Sequence, residues 1–127
     1  MSLDYGYDYG YDYGYKTNIE RDTLVNKAYR KVLYTTKQMQ LVLMSIPIKD
    51  DIEREKHVNT TQFIRVEKGT GIATIGKKTY RLKDGDSVVI PPGVYHYVKN
   101  TGEEPLQLYT LYSPPTHEEG LVQRKHD

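Results

Sequence analysis

The chain has 127 residues and no cysteine. That length fits one domain, and the missing thiols exclude disulfides and thiolate metal sites, so any metal must be held by His, carboxylate or amide groups. A net charge of +1, with Lys and Arg scattered along the chain, offers nucleic acid and membrane surfaces no general attraction and makes a small-molecule ligand the default partner.

Residues 1–17 form a separate segment rich in Tyr, Gly and Asp. Every second residue from Tyr5 to Tyr15 is Tyr, and Asp4, Asp8 and Asp12 make the segment acidic. Such low-complexity sequence has no second apolar layer to pack against, which predicts a disordered tail. In extended form, period-2 geometry would put the six tyrosines on one face, an adhesive strand suited to self-association. No apolar leader precedes it and no apolar run reaches spanning length, so a cytoplasmic location is expected.

Residues 18–127 read as one domain. Asn18 to Lys27 suits an irregular or briefly helical lead-in, and the pattern from there is β. Short runs rich in β-branched and aromatic residues predict strands over 29–35, 39–46, 62–67, 71–75, 78–82, 87–90, 95–99 and 106–112. Gly76-Lys77, Lys83-Asp84-Gly85-Asp86, Pro91-Pro92-Gly93 and Asn100-Thr101-Gly102 supply turns between them. Eight short strands with almost no helix predict an all-β antiparallel sandwich or barrel. The run 39–46 is apolar on both faces, so one face is expected in the core and the other in a homodimer interface.

Along strand 62–67, alternation puts Gln62 on the same face as Ile64 and Val66, where an unpaired amide would cost about 1–3 kcal/mol. Gln62 therefore needs an inward partner. His96 shares its face with Val98, and Glu55 and His57, one residue apart, share a face wherever the backbone is extended. His117 and His126 fall in C-terminal sequence without strand pattern and are read as a solvated tail residue and a disordered one. Tyr112 is expected as a core or interface aromatic, and Arg30 has no assigned role.

The stretch Gly85-Asp-Ser-Val-Val-Ile-Pro91-Pro-Gly93-Val-Tyr-His96-Tyr-Val-Lys-Asn100 resembles the second conserved motif of the cupin superfamily at every fixed position. Upstream, Glu55, His57, Gln62 and Gly69 keep the spacing of the first cupin motif, with Glu in place of its first His and Gln in place of its Glu. The chain from about Tyr29 to Gly120 is also similar to short bacterial cupins labelled similar to mannose-6-phosphate isomerase. The resemblance implies an antiparallel jelly-roll β-barrel and one divalent metal ion held by Glu55, His57, Gln62 and His96. That donor set is compatible with zinc, manganese, iron, nickel or cobalt. It also implies a metal-dependent enzyme, isomerase-like or oxygenase-like, or a binder of a small polar molecule such as a carbohydrate or sugar phosphate. A non-catalytic binding module and a structural protein assembled through the tyrosine tail remain the alternatives.

Overall fold

A computed structural model describes residues 13–127. Most of the tyrosine tail, and with it the expected disorder or adhesive role, lies outside the described residues. At the tail's end, Tyr15 stacks on Tyr34 with ring centroids 5.0 Å apart.

Helix α1 (Ile19–Val25) precedes ten strands among the described residues: β1 (Arg30–Thr35), β2 (Gln40–Ile46), β3 (Asp51–Glu55), β4 (Thr61–Lys68), β5 (Gly71–Ile75), β6 (Lys78–Leu82), β7 (Ser87–Ile90), β8 (His96–Asn100), β9 (Leu106–Ser113) and β10 (Val122–Gln123). All pairings are antiparallel. One sheet has the order β10-β1-β2-β9-β4-β7 and the other β3-β8-β5-β6, the two-sheet jelly roll that the sequence predicts. Their inner faces meet in one core. Val42, Met44, Ile64, Val66 and Leu108 come from the larger sheet, and Ile52, Ala73, Leu82 and Val98 from the smaller.

All eight predicted strands form, and β5, β6 and β7 span the predicted residues. Strand β3, Asp-Ile-Glu-Arg-Glu, was not expected because only Ile52 among its residues is buried. It lies at a sheet edge, where one apolar side chain anchors the strand and charged neighbours face water. On β4, alternation holds for Gln62, Ile64 and Val66, but Glu67 is buried as well. A register shift between Val66 and Lys68 turns it in, with Arg65 Nε 3.5 Å away.

The lead-in is a capped helix. The Asn18 side chain accepts the Arg21 N–H, and Glu20 and Asp22 occupy the first turn, where the helix dipole favours acids. At the other end, the Gln107 amide of β9 donates to the carbonyls of Thr23 and Leu24. This ties α1 to β9, and the helix also contacts β2 and β4. Leu43, on the second face of β2, is only 2% exposed. No helix of the described residues is long and apolar enough to cross a membrane.

Two motif positions hold the barrel's end together. Asn100 donates from its amide to the carbonyls of Ile46, Pro47 and Glu104 and accepts from the Gly102 N–H. One side chain thus joins the β2–β3 and β8–β9 connections. Gly69 has φ +96°, and a Cβ there would stand 2.7 Å from the Pro105 carbonyl oxygen, so only glycine fits that approach without displacing the backbone.

Candidate metal centre

His96 opens β8 and is 2% exposed, while Tyr95 and Tyr97 on either side turn outward. Its Nδ1 lies 3.1 Å from the Val94 carbonyl oxygen. A carbonyl can only accept, so Nδ1 carries the proton and Nε2 presents its lone pair to the barrel interior. Glu55 is the cross-strand partner of His96 where β3 ends, past an irregularity in the β3–β8 register. His57 follows in the loop after β3. Its carbonyl accepts the Gly93 N–H at 2.8 Å, so the Pro91-Pro92-Gly93 turn fixes its backbone.

Glu55 Oε2 lies 3.5 Å from His57 Nε2 and 3.7 Å from His96 Nε2. These separations exceed good hydrogen bonds. They approach the spacing of two donors sharing one ion at about 2.1 Å, roughly 3.0–3.5 Å for octahedral or tetrahedral angles. Each of the three residues offers a ligand atom within 4.8 Å of the others, so this group can hold a metal ion.

Gln62 reaches the same region from the opposite sheet. It is 1% exposed, its Nε2 donates to Thr110 Oγ1 at 3.1 Å, and its Oε1 is left without a partner. In register it pairs with Tyr112, whose ring meets His57 edge-on at 5.7 Å. Glu55 Oε2, His57 Nε2, Gln62 Oε1 and His96 Nε2 are all buried without a hydrogen-bond partner. Native interiors rarely leave such atoms unpaired, and four donor atoms of metal-ligating type fit a cation.

The electrostatics agree with that fit. Burial pushes the Glu55 carboxyl up, but His96, His57 and Arg30 together outweigh it and hold the group below the usual carboxylate range. Burial, opposed by Glu55 and assisted by His96, lowers His57, which favours the neutral imidazole that a metal requires.

A family model described as Cupin domain matches residues 42–112, a segment that contains all four of these residues. The chain belongs to the cupin family. BH2720 from Bacillus halodurans, a solved structure, superposes with a TM-score of 0.86 at 38% identity, covering 87% of this chain and 89% of that one. The uncharacterized protein YrkC of Bacillus subtilis is 43% identical over 111 residues, which are 83% of this cupin and 60% of YrkC. The chain thus spans well under two thirds of that relative. The uncharacterized protein L612 of Acanthamoeba polyphaga mimivirus is 44% identical over 109 residues, covering 83% of this chain and 68% of L612.

Arg30 and His117 were not placed in the cupin interior from the sequence, whereas Tyr112 is a core aromatic as expected. Tyr112 is fully buried and its hydroxyl is unpaired; alternation with Leu106, Leu108 and Thr110 could have placed it inward. Arg30 is 8% exposed and shares the inner face of β1 with Val32. His117, expected in solvent, instead packs edge-on against Tyr112 at 4.9 Å with its Nε2 buried and unpaired. Gln40 holds it there. The buried amide of Gln40 accepts from the His117 N–H at 3.0 Å and donates to the His117 carbonyl at 2.8 Å. Burial then lowers the His117 imidazole to about 4 and raises the Tyr112 phenol, so both are neutral near pH 7.

His126 also departs from the expected disorder. Its ring stacks on Tyr29 at 4.4 Å and 5°, its Nδ1 bonds Asp50 at 2.7 Å, and its Nε2 bonds Glu53. Both ring nitrogens are engaged, so this second His/carboxylate group acts as a latch for the C-terminus.

Proposed function

We propose that Glu55, His57, Gln62 and His96 hold one divalent metal ion, of zinc, manganese, iron, nickel or cobalt, and that the loaded barrel binds and acts on a small polar molecule. The observation that carries this reading is the grouping of Glu55, His57 and His96, whose ligand atoms lie within 4.8 Å of one another, together with the buried, unpaired Gln62 Oε1 on the facing sheet. When bound, the ion supplies Lewis-acid polarisation of a carbonyl or activation of water.

The chain's own groups define what surrounds it. Glu55 is kept ionised by its histidine and arginine neighbours, available as a ligand and, where it is not bound, as a base. Tyr112, beside Thr110 and Arg30, keeps its phenolic proton at Oη and can donate a hydrogen bond. Thr110 orients the Gln62 amide so that its oxygen is the free end. A carbohydrate or sugar phosphate undergoing isomerase-like chemistry is the version of this function that the motif resemblance favours.

Elemental analysis of purified wild-type protein, His57→Ala and His96→Ala tests the site. About one equivalent of metal is expected in the wild type and a large loss in both variants. Equal metal content in all three would remove the proposal. Turnover assays on sugar phosphates, keto acids and diols, with and without added metal, then separate an enzyme from a binding module.

A further inference from the structure

We infer that the cavity between α1 and the β10 edge of the larger sheet is a docking site for the chain's own acidic tyrosine segment, residues 4–12. This surface lies outside the metal centre and shares no residue with it. The cavity has a volume of about 520 Å³, within the range of ligand-binding pockets. Across its floor runs the register row Val122–Lys31–Leu43, with Leu33 beside it and Val25 of α1 as a wall. Leu43 is buried, whereas Val25 and Val122 are 65% and 47% exposed. A packed floor with bare apolar walls and a charged rim is the pattern of an interaction surface.

Three cations, Lys27, Lys31 and Arg124, line the same cavity. Among the described residues, none of them forms an ion pair within 4 Å or a side-chain hydrogen bond. Arg124 is fixed at the rim by its carbonyl, which accepts the Tyr29 N–H at 3.2 Å. Asp22, which also lines the cavity, is already held by the Thr17 hydroxyl and Arg21. An occupant must therefore bring carboxylates and apolar surface together. Residues 4–12, Asp-Tyr-Gly-Tyr-Asp-Tyr-Gly-Tyr-Asp, carry three carboxylates, four tyrosines and no basic side chain. Their rings also suit the faces of lysine and arginine cations.

The point of attachment favours this segment over a free acidic peptide. Tyr15 is itself part of the lining and stacks on Tyr34, and Thr17 bonds Asp22, so the chain joins the domain at the cavity rim. At roughly 3.3–3.6 Å per residue, Asp12 is no more than about 11 Å from Tyr15 and Asp8 no more than about 25 Å. So short a tether gives an effective concentration on the order of millimolar, and individually weak contacts suffice.

The test compares the full wild-type chain with Asp8→Lys/Asp12→Lys, with Lys31→Glu/Arg124→Glu and with the combination of all four substitutions. Methyl proton resonances of Val25, Leu33, Leu43 and Val122 are followed by NMR at low salt. In the wild type, tyrosine ring currents should displace them from their positions in the Asp8→Lys/Asp12→Lys protein. At about 1 M salt, where the screening length falls to about 3 Å, the two spectra should coincide at these methyls. Either charge reversal alone should abolish the displacement, and the combination should restore most of it. Identical methyl positions in wild type and tail variant at low salt, or no recovery in the combination, overturn the inference. A displacement that fades on dilution assigns the cavity to the segment of a second copy and overturns it too. Should Lys31→Glu/Arg124→Glu fail to fold, the tail variant and the salt series decide.

Discussion

Replacing Gln62 with Leu separates a metal-facing amide from an ordinary buried one, because the two roles predict different responses to metal. Leu nearly conserves volume but removes two interactions: the hydrogen bond to Thr110 and the unpaired Oε1. Without metal, losing the hydrogen bond costs about 1 kcal/mol while removing a buried unpaired oxygen recovers about 1–3 kcal/mol. The chelated variant should therefore equal the wild type or exceed it by up to about 2 kcal/mol. With saturating metal the same substitution deletes a donor, and a loss of affinity of about tenfold to a hundredfold lowers stability by roughly 1.4–2.8 kcal/mol. Urea unfolding of both proteins, with excess chelator and with excess manganese or zinc, measures each quantity. The substitution effect should shift by at least about 1.4 kcal/mol between the two conditions at unchanged m value. An identical effect in both conditions would refute the placement of Gln62 beside the ion.

Two pH dependences follow from the histidines outside the ligand set, and both are best measured with chelator present. Burial lowers His117 to about 4 from its ordinary 6.5, so the unfolded chain takes up this proton first and stability falls as pH drops from 6.5 towards 4. A shift of that size corresponds to roughly 3 kcal/mol, reduced to about 1–2 kcal/mol because the ring keeps partial access to water. Urea titrations of His117→Asn should lack this acid-side loss, and an unchanged pH profile would count against the buried placement. His126 runs the other way: burial lowers its pKa, but Asp50 and Glu53 outweigh that and raise it above the ordinary value. Its contribution is complete below about 6.5 and disappears as pH rises through the raised value. His126→Phe should therefore be less stable by up to about 1 kcal/mol at acid pH and match the wild type at alkaline pH. Equal destabilisation across the whole range would exclude the charged latch.

Local alternation determined much of this protein. A period of two places Gln62 with Ile64 and Val66 on one inner face and His96 with Val98 on another, and eight strands follow from it together with the Gly, Pro and Asn turns. The same rule extends to Tyr112 and Arg30, whose inward positions were legible but whose unpaired hydroxyl and guanidinium nitrogen were not. Strand β3 lay beyond it because a single buried residue, Ile52, leaves no alternation to read.

Long-range hydrogen bonds decided the remainder. His117 enters the interior because Gln40, 77 residues earlier, binds its backbone, and His126 is fixed by Asp50, 76 residues away. Helix α1 is held against the larger sheet because its C-terminal carbonyls are met by Gln107 of a distant strand. Alternation is written into neighbouring residues, so the barrel and the inward placement of Gln62 and His96 could be read from the sequence. Loop side chains take their places from partners far along the chain, so only the tertiary structure revealed His117 packed on Tyr112 and His126 bonded to Asp50 and Glu53.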